Sequence, residues 1–256
     1  MLILAVSDVH LGYNASNSRA FRDFLNSRCR SLGRNDTLVL LGDIFDFWRR
    51  NNVEVALENE SIFSILESLE ATIHYIIGNH DYTLVDLKAV DKPFDVSKEL
   101  KLENGGKIFS FIHGYQLEVL ANLEPLTIRE YEDLCVSLCL RTGDFFGDVL
   151  SIMWDMLHLS FKKGDRRKNA ISSISEVPES RKNMDRVRQL STSRVKDLFL
   201  GLGKEETLIF GHIHRPFIHE RTANTGCWVS DAEKQNTYIE IENGEMKLFN
   251  YEKLSQ

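Results

Sequence analysis

The segment Leu2-Ile-Leu-Ala-Val-Ser-Asp-Val-His10 passes from an apolar run of strand length straight into Asp8 and His10. Four later segments repeat that construction. Thr37 to Leu41 leads into Gly42-Asp43, Thr72 to Ile77 into Gly78-Asn79-His80-Asp81, Ile108 to Ile112 into His113-Gly114, and Thr207 to Phe210 into Gly211-His212-Ile213-His214. Short apolar runs of this kind read as strands buried on both faces, the situation of a parallel sheet covered by helices. In such sheets ligands gather beyond the carboxyl ends of the strands, so five segments far apart in sequence can converge on one crevice. The glycines at 42, 78 and 211 suit that convergence, because a residue without Cβ lets the backbone turn sharply and approach closely.

Helical periodicity lies between the runs. Ser18 to Leu32 places Ala20, Phe21, Phe24 and Leu25 on one face, and Gly33 stands where a left-handed C-cap is expected. Val53 to Leu69 reads as a second helix with Leu57, Ile62, Ile65, Leu66 and Leu69 as its buried stripe. Strand and helix alternating in this way indicate an α/β fold. The C-terminal part changes character: Phe217 to His219, Cys227 to Ser230, Asn236 to Ile241 and Lys247 to Tyr251, parted by turn signals such as Asn243-Gly244, read as antiparallel strands. Tyr115 to Gly203 is helical in pattern, and the expectation is one domain over 1–256 with a helical insertion at 115–203. Inside it, Phe145 to Lys162 reads as a helix apolar over most of its circumference, with a structural partner or an acyl chain as the alternatives for its surplus face. Gly164 to Arg188 reads as a solvated loop, whose Arg166-Arg167-Lys168 could also meet an anionic substrate.

Composition narrows the function. The 256 residues, 43 % hydrophobic, can bury a full core. A net charge of -7, from 31 basic and 38 acidic residues, is the wrong sign for a protein that holds nucleic acid by phosphate neutralisation. Four scattered cysteines read as reduced, packed thiols, which points to the cytoplasm. The apolar start lacks a basic leader and a cleavage site and reads as a strand. No apolar run reaches the roughly 20 residues that span a bilayer, so any membrane contact is expected to be peripheral, at the inner face.

Asp and Asn offer hard oxygen donors and His a borderline nitrogen, without thiolate, a mixture that suits Mn²⁺ first and admits Fe or Zn²⁺ ahead of Ca²⁺. The candidate ligands are Asp8, His10, Asp43, Asn79, His113, His212 and His214. Any one of the five pieces alone is more often a turn or a pair of surface residues. Together, in order, each on the end of an apolar run, they point to metal-assisted chemistry, with one carboxylate able to hold two cations roughly 3.5 to 4 Å apart.

Asp-x-His at 8–10, Gly-Asp-x-x-Asp at 42–46, Gly-Asn-His-Asp at 78–81, His113 and Gly-His-x-His at 211–214 resemble the calcineurin-like metallophosphoesterase superfamily. The resemblance covers both ends of the chain and omits most of 115–203. It implies a four-layer α-β-β-α sandwich. It also implies a ligand division, with Asp8, His10 and His214 on one ion, Asn79, His113 and His212 on the other, and Asp43 bridging. Ser7-Asp-Val-His-Leu-Gly12, the Phe-x-x-Phe-Leu of 21–25, Gly42-Asp-Ile-Phe-Asp-Phe-Trp48 and Gly211-His-Ile-His-Arg-Pro216 are similar to the UDP-2,3-diacylglucosamine hydrolase branch. That branch cleaves a pyrophosphate bond in a lipid-bearing nucleotide sugar whose acyl chains lie under a helical insertion. The chain departs from it at His80, where the branch carries Arg, and at Tyr115, where Asp follows the His-Gly.

The resemblance implies hydrolysis of a phosphodiester, phosphomonoester or pyrophosphate bond by a hydroxide held between two cations. His80 is the candidate proton donor or charge stabiliser opposite the nucleophile, and Asp46 the acceptor that holds its tautomer. Two alternatives stay open within the superfamily, a DNA nuclease and a cyclic-nucleotide phosphodiesterase. A scaffold without catalysis and an oligomer are open as well.

Overall fold

The computed structural model describes residues 1–86, 94–122, 126–141 and 179–252. Two sheets carry it. In the first, β1 (Leu2–Val6), β2 (Thr37–Leu40), β3 (Thr72–Ile76) and β4 (Asp95–Ser97) run parallel in that order, and β10 (Thr237–Glu242) and β11 (Glu245–Asn250) extend the β1 edge antiparallel. In the second, the order is β5 (Glu99–Asn104), β6 (Lys107–Ile112), β7 (Thr207–Phe210), β9 (Thr222–Asn224) and β8 (Phe217–His219), with β6, β7 and β9 parallel.

Side-chain alternation assigns the layers. Successive strand residues point to opposite faces, so Ile3, Ala5, Val39, Ile209, Phe109 and Phe111 meet between the sheets. Their neighbours Leu4, Val6, Leu38 and Leu40 turn outward onto α1 (Ser18–Ser27), α2 (Asn52–Glu58) and α3 (Glu60–Glu67) through Phe21, Phe24, Val55 and Ile62. On the far side Leu208, Phe210 and Ile112 pack against Leu117 of α4 (Tyr115–Asn122) and Val187 of α6 (Glu179–Thr192). The result is the expected α-β-β-α sandwich. α5 (Ile128–Arg141) and α7 (Val195–Phe199) complete the described helices of the 115–203 region, in which no strand occurs among the described residues. No described helix is long and apolar enough to cross a membrane.

Several local expectations give way to competing interactions. Gly33 does not adopt a left-handed cap. α1 ends at Ser27 and tightens into a 3-10 turn over Cys29–Ser31, and the Gly33 N–H is taken by the Asp36 carboxylate at 3.0 Å, whose other oxygen accepts from Leu2 N at 2.7 Å. The single helix expected over Val53 to Leu69 is two, because the Asn59 side chain donates to Val55 O at 2.8 Å and its backbone leaves the helical region. The break turns Leu57 outward, 68 % exposed, instead of into the buried stripe. Cys227 to Ser230 is not a sheet strand. Trp228 N donates to Asp8 O at 2.9 Å and Ser230 N to Ala15 O at 2.7 Å, so the segment spends its hydrogen bonds on the loop after β1, with the Trp228 ring packed on Phe21 and Phe24. The solvated loop expected up to Arg188 is helical from Glu179, where Met184 and Val187 dock on α4. β5 went unread because charged residues alternate with Leu100 and Leu102 along it. The helix read at Phe145 to Lys162 and the cations at 166–168 lie outside the described residues.

Phe111 sits fully buried between the sheets. Phe111→Ala should therefore destabilise the fold by about 3–5 kcal/mol, seen as a lower midpoint of urea unfolding at unchanged slope.

Candidate metal centre

The parallel strands β1, β2 and β3 end side by side, and β6 and β7 end opposite them across the inter-sheet core. The loops that leave these ends hydrogen-bond to one another. Asp8 N donates to Gly42 O at 3.1 Å, His10 N to Asp43 O at 2.9 Å, Phe47 N to His80 O at 3.0 Å and Gly211 N to His113 O at 2.8 Å. A Cβ at Gly42, whose φ is +79°, would meet the Gly78 backbone at 2.7 Å, and one at Gly78 would collide with Asp43. The two loops touch because neither residue has a side chain. Asp8, His10, Asp43, His212 and His214 all hold left-handed backbone angles, with φ between 52° and 67°. Strain of this kind, tolerated best by Asp, Asn and His, gathers where a site over-determines the geometry.

The side chains converge as two groups. Asp8 Oδ1 lies 3.2 Å from His214 Nε2 and 3.9 Å from His10 Nε2, and those two nitrogens are 3.2 Å apart. Asp43 Oδ2 lies 3.2 Å from His113 Nε2, and Asn79 Oδ1 is 3.1 Å from that same nitrogen. His212 joins Asp43 and His113 in a second ligand-sized cluster. Asp43 Oδ2 is also 3.9 Å from His10 Nε2, which places it between the groups, while its Oδ1 accepts from His80 N at 2.8 Å.

Hydrogen bonds at the outer nitrogens settle what the inner ones do. His113 Nδ1 donates to Leu41 O at 2.8 Å, so Nε2 faces Asn79 Oδ1 and Asp43 Oδ2 with a lone pair. His10 Nδ1 lies 3.1 Å from Asp46 Oδ2, and its Nε2 is likewise turned inward. Asp8 Oδ1 is buried with no hydrogen-bond partner. Acceptors gathered in a buried space favour a cation between them, and the donor set fits a pair of divalent ions. Burial opposes charge on His113, but the Asp43 carboxylate outweighs it and pushes the imidazole up to about 9. Burial likewise works against ionising Asp43, yet His113 and its neighbours hold the carboxyl below the ordinary range.

His80 is placed beside this centre. Its Nδ1 is 3.1 Å from Asp46 Oδ1, its ring stacks on Trp48 at 4.1 Å between centroids, and His10 meets it edge-on at 4.7 Å. Asp46 is buried. Burial works to raise its pKa, but His80 and His10 hold it well below the usual value. Asp46 also bonds the Arg49 guanidinium. That cation makes the cluster of His10, Asp46 and His80 a poor third ion site, although its atoms lie within ligand reach of one another.

A cleft of about 400 Å³ opens over His10, Asp43, Asn79, His80, His212 and His214. Residues on its wall that the sequence pattern did not single out include Tyr13, Arg49, Glu118 and Arg215. Arg49, three residues after Asp46, and Arg215, next to His214, were within reach of a reading that followed each motif one turn further. Glu118 was not, because its approach depends on how α4 docks.

The sequence pattern of the calcineurin-like phosphoesterase family matches residues 1–216. The chain belongs to that family. It is a metal-dependent phosphoester hydrolase, and membership implies a dinuclear divalent metal centre. Curated relatives agree across nearly the whole length. The chain is 25 % identical over 262 residues to the UDP-2,3-diacylglucosamine hydrolase of Psychromonas ingrahamii, covering 97 % of this chain and 96 % of the relative. It is 26 % identical over 230 residues to that of Pseudomonas entomophila, covering 86 % and 84 %. With the hydrolase of the same name from Chromohalobacter salexigens it shares 24 % over 225 residues, 87 % and 83 % of the two chains.

Asp81 of this calcineurin-like phosphoesterase ties the loops together from beneath. Its Oδ2 accepts from Ile44 N at 2.9 Å and Tyr75 Oη at 2.5 Å, and its Oδ1 from Gly78 N at 2.8 Å. Asp81→Ala should strand these buried donors and cost about 3 kcal/mol or more. Chemical denaturation would register the loss, and Mn²⁺ affinity should fall with it.

Proposed function

We propose that Asp8, His10 and His214 hold one divalent cation and Asn79, His113 and His212 a second, with Asp43 shared between them. The protein then hydrolyses a phosphoester or pyrophosphate bond of a small or lipid-linked substrate, in the class of the UDP-diacylglucosamine named for its relatives. The observation that carries this reading is the position of Asp43 Oδ2, 3.2 Å from His113 Nε2 and 3.9 Å from His10 Nε2. Mn²⁺ suits the donor set best, with Fe and Zn²⁺ admitted. Bound there, the cations supply Lewis acidity toward phosphoryl oxygens and acidify water at neutral pH.

The remaining work falls to side chains of the cleft. Asp46 holds His80 through Nδ1 and leaves Nε2 as the nitrogen available to a leaving oxygen. Trp48 stacked on one face limits rotation of the ring. As imidazolium, His80 can donate a proton or offset charge there. Arg49 and Arg215 present cations at the wall that suit a second phosphoryl group, Arg49 braced over the Tyr13 ring at 4.4 Å. We read 1–256 as one domain with 115–203 as a helical cap, a reading supported by Glu118, Tyr131 and Met184 of that region lining the cleft. Peripheral action at a membrane from the cytoplasmic side goes with a lipid-linked substrate and with four buried free thiols.

Two measurements test the proposal. Elemental analysis under saturating Mn²⁺ should give two ions per chain, Asp43→Ala should weaken both, and a fixed stoichiometry of one would refute the shared carboxylate. His80→Ala should keep its metals and lose about 10²–10⁴-fold in turnover of a UDP-diacylglucosamine substrate, followed by release of UMP. The loss should shrink with nitrophenyl esters, whose leaving group needs no proton; equal losses would leave His80 a purely electrostatic role.

A further inference from the structure

Glu118 stands on α4 one turn after Gly114, whose carbonyl accepts from Leu117 N at 3.0 Å and opens the helix directly behind His113. The residue is buried, with 8 % of its surface exposed, and Oε2 lies 2.7 Å from His212 Nε2. The first turn of a helix favours an anionic side chain, since the unpaired N–H groups and the dipole present positive charge there. His212 shares a ligand-sized cluster with Asp43 and His113, and with Nε2 engaged by a carboxylate, Nδ1 is the nitrogen that remains for an ion.

We infer that Glu118 is a positioning residue for the metal centre: it accepts the Nε2–H of His212, fixes that tautomer and ring plane, and so directs the Nδ1 lone pair at the second cation. The inference rests on the reading of His212 as a ligand. It gives His212 the same kind of outer support that Leu41 O gives His113 and Asp46 gives His10, at 2.8 and 3.1 Å. A carboxylate behind a ligating imidazole raises its basicity as well as aiming it, and removing such a partner typically weakens metal binding about 10–100-fold. Unlike the other two supports, this one comes from the 115–203 region. α4 packs against α6 through Leu117 and Val187. The helices over the cleft are thereby tied to one particular ion.

The experiment measures Mn²⁺ affinity and stoichiometry by equilibrium dialysis for wild type, Glu118→Ala, Glu118→Gln, His212→Ala and the Glu118→Ala/His212→Ala pair. Nitrogen-15 NMR of the wild-type and Glu118 proteins loaded with Zn²⁺ reports which His212 nitrogen carries the proton. Glu118→Ala should weaken one ion about 10–100-fold and spare the other. Glu118→Gln should recover part of the loss, because its amide oxygen can still accept. In the His212→Ala background, Glu118→Ala should add no further loss. Full affinity for both ions in Glu118→Ala, while His212→Ala loses one, would overturn the inference and leave the metal assignment standing. Two tightly held ions in His212→Ala would instead remove the ligand reading on which it rests. Should Glu118→Ala fail to fold, wild type still decides: a His212 proton on Nδ1 refutes the positioning role.

Discussion

Acceptors that face one another at the buried floor of a cleft are the constraint on which this structure is organised. Asp8 Oδ1, Asp43 Oδ2, Asn79 Oδ1 and the inner nitrogens of His10 and His113 meet at 3 to 4 Å. The carboxylate and amide oxygens bring no hydrogen of their own, so positive charge between the groups relieves their opposition. Each buried polar group left unpaired costs about 1–3 kcal/mol, so a cation shared among these acceptors stabilises their arrangement. Because the unfolded chain has no such site, ion binding stabilises the native state by mass action.

Holding the acceptors together requires a backbone that few residue types accept. Asp8, His10, Asp43, His212 and His214 sit in the left-handed region, at a cost of order 1–3 kcal/mol for each residue held there. That cost is met by what lies beneath. The inter-sheet cluster around Val39, Ile76, Phe111 and Ile209 fixes the strand ends, and the backbone bonds from Asp8, His10 and Gly211 to neighbouring loops leave each turn little freedom. Trp228, packed on Phe21 and Phe24 while its N–H reaches Asp8 O, carries the rigidity of the helical layer to the first loop. The apolar core and the polar centre are therefore one mechanical unit.

Charge in the cleft is arranged in opposition. Histidines and the carboxylates of Asp43 and Glu118 line its floor, while Arg49 and Arg215 stand on its wall, each braced by an acidic partner, Asp46 and Asp185. The cleft thus carries localised cations within a chain of net charge -7. His80 occupies a position where the resembled branch carries Arg. Arg offers a fixed charge, whereas an imidazole held by Asp46 can also move a proton.

The apolar runs ending in Asp8, Asp43, Asn79, His113 and His212 made the α/β sandwich and the convergence of donors legible in the sequence, because burial on both faces and placement at strand ends are written in local pattern. The charges flanking Leu100 and Leu102 hid β5, and a side-chain bond from Asn59 broke a helix whose periodicity looked continuous. The strand-like Cys227 to Ser230 became a brace for the first loop, since its hydrogen bonds found Asp8 and Ala15 before a sheet edge. Which nitrogens of His10 and His113 face inward, and that Glu118 stands behind His212, were decided by tertiary structure alone. Sequence spacing specifies which residue types reach a strand end. The orientation of a ring and the approach of a helix depend on partners that only packing brings within 3 Å.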